Sequence, residues 1–402
     1  MSIDLSSFWS WWTTLKEFGL NEDGSLSRLA LTSSDVESRQ WLASLWRQLG
    51  ARVIIDGIGN VIAQRGESPF ILVSSHTDTV PQGGHYDGIL GVLAGTVLLE
   101  QYRNEKHGLL LVDWSCEESS RFSISTVGSR IACGEPLSWD MQDHQGITLK
   151  EAAETTFGGF KASLWHVPIS QIDAAIELHM EQGKTLMQLD SPVAVVSAIA
   201  APQRWKLTIH GQANHSGSTA MGDRHDAVAV AALLVTVIED LSRKLEERGL
   251  RATITHWDAV PGAANVIAGK TTLLLDIRAQ FADILGEFTL NLQKYVHRLE
   301  KERQVHITIN RYSEEHPATL SPHLSETICA AIAHEGLPLT RVSSWPSHDS
   351  LVLARHLPTA MVFIRNVSGV SHQAHEYCSP DDIACGVQVL RTSVAMFDEV
   401  RQ

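Results

Sequence analysis

Apolar positions along the chain follow two different rhythms. Between about residues 36 and 202, short and nearly continuous apolar runs, FILVSS (70–75), GLLLVDWS (108–115) and AAIELH (174–179), alternate with segments of helical period, DVESRQWLASLWRQLG (35–50) and ILGVLAGTVLLEQYR (89–103). Strands without a polar face, separated by helices, predict an α/β domain: a mostly parallel sheet flanked by helices on both faces. From about residue 203 the order becomes strand (203–211), long helix (226–249), two strands (251–260 and 270–280), helix (281–304) and strand (305–313). That order predicts a small α+β domain with helices on one face of an antiparallel sheet. After about 318 a helix (324–336), a strand (359–367) and a final helix (383–400) resume the first pattern. The expected division is therefore 1–203 with 318–402 as one domain and 204–317 as an insertion. A chain of 402 residues exceeds what one core usually serves, in agreement with two domains.

Phe8, Trp9, Trp12, Leu15 and Phe18 near the N-terminus sit at helical spacing and predict a helix docked on the core. The segment has no basic n-region, so it does not read as a signal peptide, and no apolar run approaches the ~18 residues of a membrane span. Five cysteines, an odd number without CxxC spacing, predict a reduced, cytoplasmic chain without a disulfide framework. Lys and Arg total 32 against 46 Asp and Glu, a net charge of −14 that repels phosphate backbones and anionic membrane surfaces. Neither nucleic acid nor a membrane is an expected partner.

Candidate chemistry lies where strands end. In open α/β sheets ligands bind beyond the carboxyl ends of the strands, and three predicted strands end in acid or His: the first in His76 and Asp78, the second in Glu117 and Glu118, the third in His179 and Glu181. Imidazole and carboxylate suit a divalent transition metal, so His76, Asp87, His179 and one of Glu117 or Glu118 are candidate ligands. A carboxylate can bridge two ions. Asp78, two residues after His76, either ligates or accepts the other ring N–H of that imidazole. Asp87 precedes Gly88 and a helix, where its simplest role is to cap that helix; capping leaves Gly83-Gly84 unexplained. Neighbours on an extended segment point in opposite directions, so one of Glu117 and Glu118 can bind metal while the other acts as general base. GQANHSGST (211–219) and NVSGVSHQAHEYCSPDD (366–382) each place a His in a loop of small residues. His85, His107, His225, His256 and His323 carry only the structural or surface expectation of a lone His. No GxSxG, HExxH, GxxxxGK[ST] or post-strand GxGxxG is present, which removes the corresponding catalytic classes.

The ordered motifs SSHTDTVPQGGHYDGILGVLAG, CEESSRF, VGSR, ELHMEQG, GQANHSGSTAMGDRHDA, NVIAGKTTLLLDIR and SHQAHEYCSPDDI together resemble the hydantoinase/carbamoylase family of metal-dependent amidohydrolases. That family, which includes N-carbamoyl-L-amino acid hydrolases and allantoate amidohydrolases, belongs to the dinuclear zinc aminoacylase and carboxypeptidase group. The resemblance implies two divalent ions per subunit, Zn²⁺ or Mn²⁺, Co²⁺ or Ni²⁺. One is held by His76, Asp87 and His179 and the other by Asp87, Glu118 and His372. It makes Glu117 the general base and the insertion a lid and dimerisation domain of a homodimer. It further implies that His215 reaches the partner's active site to stabilise an oxyanion, and that Gln182, Asn265 and Arg278 hold the carboxylate and amide groups of a small amide substrate. The implied reaction is hydrolysis of a linear C–N bond in an N-carbamoyl or N-acyl amino acid, or in another amide such as allantoate. A non-catalytic metal-binding scaffold would have lost Glu117 or a ligand, and none is lost. Two departures touch the substrate pocket: SWPSHD (344–349) where relatives carry small residues, and Gln373-Ala374 where relatives carry Asn-Pro.

Overall fold

The computed structural model describes residues 4–102 and 106–400; the last residue of the helix predicted over 89–103 lies outside them. The chain divides into two compact units, residues 1–197 with 319–402, and residues 198–318.

The larger unit is built on a nine-stranded sheet. Its centre is four parallel neighbours, Gly108–Trp114, Phe70–His76, Ile172–Met180 and Thr359–Ile364. Antiparallel strands extend it at both sides: Val61–Arg65 and Arg52–Ile55 beyond the first, Val193–Ile199 beyond the last. The central strands are buried along almost their whole length, which is why they read as continuous apolar runs rather than alternating ones. The helix Ile89–Gln101, with eleven of its thirteen residues buried, packs on three of them, and the closing helix Pro380–Val400 packs on the fourth. At the N-terminus, the helix Ser6–Leu15 buries Phe8 and Leu15, as the aromatic spacing predicts. The short strands 52–55 and 61–65 were not legible in the hydrophobic pattern, because the outer one alternates exposed and half-buried positions at an edge.

The smaller unit is a four-stranded antiparallel sheet in the order 306–314, 201–210, 270–279, 250–260. The helices Ala227–Leu245 and Ala282–Arg303 cover one face, where Trp205, Leu207, Ile209, Leu273, Leu275 and Ile277 meet Leu234, Ile238, Phe288 and Leu292. The unit starts at Ala198 rather than 204, because the strand Ala201–His210 pairs with Lys270–Ala279 along its full length. Among the described residues no helix is long and apolar enough to cross a membrane.

Candidate metal centre

Three adjacent parallel strands end side by side, and their ends carry the candidate ligands. His76 closes the strand Phe70–His76, His179 is the penultimate residue of Ile172–Met180, and Glu117 and Glu118 follow Gly108–Trp114 after a turn through Cys116 at φ +55°. Asp87 stands just before the buried helix 89–101. It does not cap that helix: Gly88 is the N-cap, without a side-chain cap bond. The carboxylate turns instead to the strand ends. Its Oδ1 lies 3.0 Å from His179 Nε2 and 3.9 Å from His76 Nε2, and its Oδ2 lies 3.2 Å from His372 Nε2. Glu118 Oε1 is also 3.2 Å from His372 Nε2. Two groups of ligand atoms result, His76–Asp87–His179 and Asp87–Glu118–His372, and they share Asp87.

These residues fit divalent metal. His76 Nδ1 is hydrogen-bonded to the Asp78 carbonyl at 3.0 Å and His179 Nδ1 to the Met180 carbonyl at 2.8 Å. These bonds hold each ring through Nδ1 and turn its Nε2 toward Asp87. The two Nε2 atoms are 3.5 Å apart, and Asp87 Oδ1 is buried without a hydrogen-bond partner, so His179 Nε2 approaches it off the line a ring N–H needs. Buried oxygens without partners are costly, and a cation among these atoms removes the cost. Gly88, at φ +67°, keeps the space open: a Cβ there would lie 2.5 Å from His76 Nε2 and Cε1. Gln182 stands at the second group, its amide nitrogen 2.6 Å from Asp87 Oδ2 and 3.0 Å from His372 Nε2.

Electrostatics sort the acids. Burial lifts the Glu117 carboxyl well above its ordinary range, helped by the nearby charges of Glu118 and Asp349, the direction in which a proton carrier must move. Glu117 Oε2 lies 3.8 Å from His76 Nε2, while Glu118 faces His372, so the adjacent glutamates do diverge. Burial opposes charge on Asp87, but the His179 and His372 imidazoles outweigh it and hold the carboxylate ionised. His76, by contrast, is pulled down to about 3 by burial and is neutral. Thr79, Val80, Gly83, Gly84, Glu118 and His372 surround Asp87 on its outer side.

Asp78 plays a different part from the one its spacing suggests. Its backbone carbonyl, not its carboxylate, holds the His76 ring; the carboxylate is 3.9 Å from Nδ1. The carboxylate instead accepts the backbone N–H groups of Glu117 (3.2 Å) and Glu118 (3.1 Å), fixing the acidic pair from below. Side chains to which the sequence assigned no role support this arrangement. Arg39, fully buried, binds Asp35 at 2.8 Å, Asp113 at 2.9 Å and Asp78 at 3.5 Å. His348 packs edge-on against His179, ring centroids 4.5 Å apart. Glu376 bonds to the Asp87 and His372 loops. Only the Glu that follows His372 by four residues and the Gly83-Gly84 pair hinted at the last of these.

His215, Asn265 and Arg278 belong to the smaller unit. His215 and Asn265 are neighbours, since Asn214–His215 pairs with Val266–Ile267 and Ser216 N–H donates to the Asn265 carbonyl at 2.9 Å. His215 Nδ1 accepts from the backbone N–H groups of Gly217 (3.0 Å) and Ser218 (3.1 Å), which places its proton on Nε2 of an exposed ring. Arg278 lies on the sheet strand 270–279 with its Nε 3.4 Å from Asp276. His85 is a bystander, held by the Gly24 carbonyl at 2.8 Å.

Residues 72–395 match the family described as peptidase family M20/M25/M40. The chain belongs to that family. Within this metal-dependent hydrolase family it is similar to an N-carbamoyl-L-amino acid amidohydrolase of Geobacillus stearothermophilus, 32% identical over 96% of this chain and 97% of the relative. It is also similar to an allantoate amidohydrolase of Bacillus subtilis, 31% identical over 94% and 93% of the two chains. In fold it resembles an amidase of the hydantoinase/carbamoylase family from Burkholderia multivorans, with TM-score 0.85, 27% identity and 99% of each chain covered.

Proposed function

We propose that this M20 hydrolase cleaves the linear C–N bond of an N-carbamoyl or N-acyl amino acid. The observation that carries this reading is the pair of ligand groups joined through Asp87, with Glu117 beside them and no ligand of its own to hold. His76, Asp87 and His179 would hold one divalent ion, and Asp87, Glu118 and His372 the other. Bound there, divalent metal would lower the pKa of a water and polarise a carbonyl. Glu117 takes a proton from the attacking water and delivers it to the leaving nitrogen, so that hydroxyl is added to the carbonyl carbon and hydrogen to the amine. Asp78 keeps Glu117 in place through its backbone N–H. His215, with its proton fixed on Nε2, donates to the carbonyl oxygen as it gains charge, a contribution of about 3 kcal/mol for a well-placed donor. Asn265 and Arg278 hold the substrate's amide and carboxylate, Arg278 exchanging Asp276 for two parallel bonds to the substrate. Gln182, whose amide nitrogen lies 2.6 Å from Asp87 Oδ2, would hold the substrate's amide beside this group.

The protein acts as a cytoplasmic homodimer in which the smaller unit supplies His215 to the partner's site. Replacing Glu117→Gln should cut turnover of N-carbamoyl amino acids by roughly 10²–10⁴-fold with metal content unchanged; activity close to wild type rules out Glu117 as the base. Mixing Glu117→Gln with His215→Ala protein should restore part of the activity, since each mixed dimer rebuilds one complete site. If no mixture regains activity, the contribution across subunits is wrong. Assaying N-carbamoyl, N-formyl and N-acyl amino acids with Zn²⁺, Mn²⁺, Co²⁺ and Ni²⁺ in turn fixes substrate and metal.

A further inference from the structure

We propose that Glu376 is a positioning residue, a carboxylate strut that holds the Asp87 loop against the His372 loop and so sets the affinity of the second ligand group; this rests on the two-ion reading above. Glu376 is 3% exposed and its carboxylate spans two segments almost 300 residues apart in sequence. On one side Oε1 accepts the backbone N–H groups of Tyr86 (3.0 Å) and Asp87 (2.9 Å). On the other, Oε2 accepts the His372 N–H and the Ser371 hydroxyl, both at 3.3 Å. Ser371 Oγ also donates to Asp87 Oδ2 at 3.2 Å. One carboxylate therefore fixes the backbones of two of the three residues in the Asp87–Glu118–His372 group, while it has no bond to His76 or His179.

Two further features place the strut under demand. His372 has φ +59°, a left-handed conformation unfavourable for a residue with a Cβ, and it persists only where its surroundings enforce it. The His372 side chain is 45% exposed, so apolar packing does not enforce it; the bond from its N–H to Glu376 and the ring's contacts with Asp87 and Glu118 do. Gly84 makes the approach possible, since a Cβ there would lie 2.5–2.6 Å from Glu376 Oε1, Cβ and Cδ. This accounts for Gly84 in the Gly83-Gly84 pair that capping by Asp87 leaves unexplained.

The asymmetry gives the test. Metal-free full-length wild type, Glu376→Ala, Glu376→Gln and Gly84→Ala are titrated with Co²⁺, reading the visible ligand-field bands and bound cobalt per chain. Loss of an outer residue that orients a ligand weakens metal binding by roughly 10–100-fold. Wild type is expected to take up two equivalents. Glu376→Ala and Gly84→Ala should weaken the second by that factor and the first by distinctly less, since the strut touches the first group only through Asp87. Glu376→Gln keeps the volume and the Oε1 acceptor for Tyr86 and Asp87 but presents an amide to His372 N–H, so it should fall between. A single equivalent in wild type overturns the two-ion reading and the strut with it. Two equivalents in wild type, with an unshifted second step in folded Glu376→Ala or Glu376→Gln, overturn the strut alone. Equal weakening of both steps in Glu376→Gln also overturns it, because the residue then supports the fold rather than one ligand group.

Discussion

Arg39 offers the sharpest test of how the acidic strand ends are stabilised. Its guanidinium, with no exposed surface, donates to Asp35, Asp78 and Asp113 and to the carbonyls of Gly59 (3.3 Å), Asp113 (3.2 Å) and Trp114 (3.0 Å). Arg39→Met keeps the length of the stem and removes every donor. Hydrogen bonds to charged groups contribute about 1.5–3 kcal/mol each, so the three carboxylate bonds alone would suggest a loss above 4 kcal/mol. Proton uptake limits it. Even with Arg39 in place, burial raises Asp78 to about 8 and Asp113 to about 6; without it both carboxyls stay protonated across neutral pH. The expected loss is the ~3–5 kcal/mol of a broken buried ion pair, close to a thousandfold in the folding equilibrium at ~4 kcal/mol. Asp78 also loses the guanidinium that holds its carboxyl beneath the backbone N–H groups of Glu117 and Glu118. Misplacing the base in this way should lower turnover of metal-saturated enzyme by about 10-fold or more. Urea unfolding of the metal-free protein measures the first effect as a midpoint shift at unchanged slope, and kcat at saturating metal measures the second. Arg39→Lys, which keeps the charge without the planar fork, should recover less than half of the stability. A stability change below ~1 kcal/mol in Arg39→Met would refute the account, because the three carboxylates would then not depend on the guanidinium.

Other outcomes follow from the same geometry. Gly88→Ala forces a side chain onto φ +67° and against His76 Nε2; it should cost about 1–3 kcal/mol and weaken metal uptake at the His76 group, and normal cobalt binding would contradict that. Chelation should lower the melting temperature reversibly, since ions that bind only the folded chain add RT ln(1 + [M]/Kd), about 2.7 kcal/mol at a hundredfold excess over Kd; a melting point indifferent to chelator speaks against the site. Asp143 has its carboxyl lowered: burial acts against ionisation, but the N–H groups of Ile147 and Gln145 and the Arg121 guanidinium outweigh it. Its contribution is therefore present above the ordinary Asp value near 3.8 and lost as pH falls through the lower folded value. Asp143→Asn should destabilise at pH 7 by about 2 kcal/mol, and the gap from wild type should close in acid; a gap that is constant with pH removes the electrostatic explanation.

The sequence by itself determined the element types and the places where chemistry gathers. FILVSS, GLLLVDWS and AAIELH announce buried strands because a strand covered on both faces has no polar positions to show, and a His or acid at the end of such a run has a reason to be there. The family motifs carried the candidate ligand residues, since spacing along one strand end or loop is a local property. The short strands 52–55 and 61–65 escaped because four or five residues are too few to set a run apart, and the outer one, at the sheet edge, buries none of its positions fully. What only the tertiary structure decided is which atoms meet across long separations. Asp78 two residues after His76 suggested a partner for the ring, yet the chain's path gives the ring a backbone carbonyl and turns the carboxylate toward Glu117 and Glu118. Asp87 before a helix suggested a cap, yet Gly88 takes that position and the carboxylate turns to three histidines. Arg39 carries no local signature and Glu376 little beyond its place four residues after His372, because a buried charge is tolerated only by the partners the fold brings to it, and those partners lie up to 290 residues away.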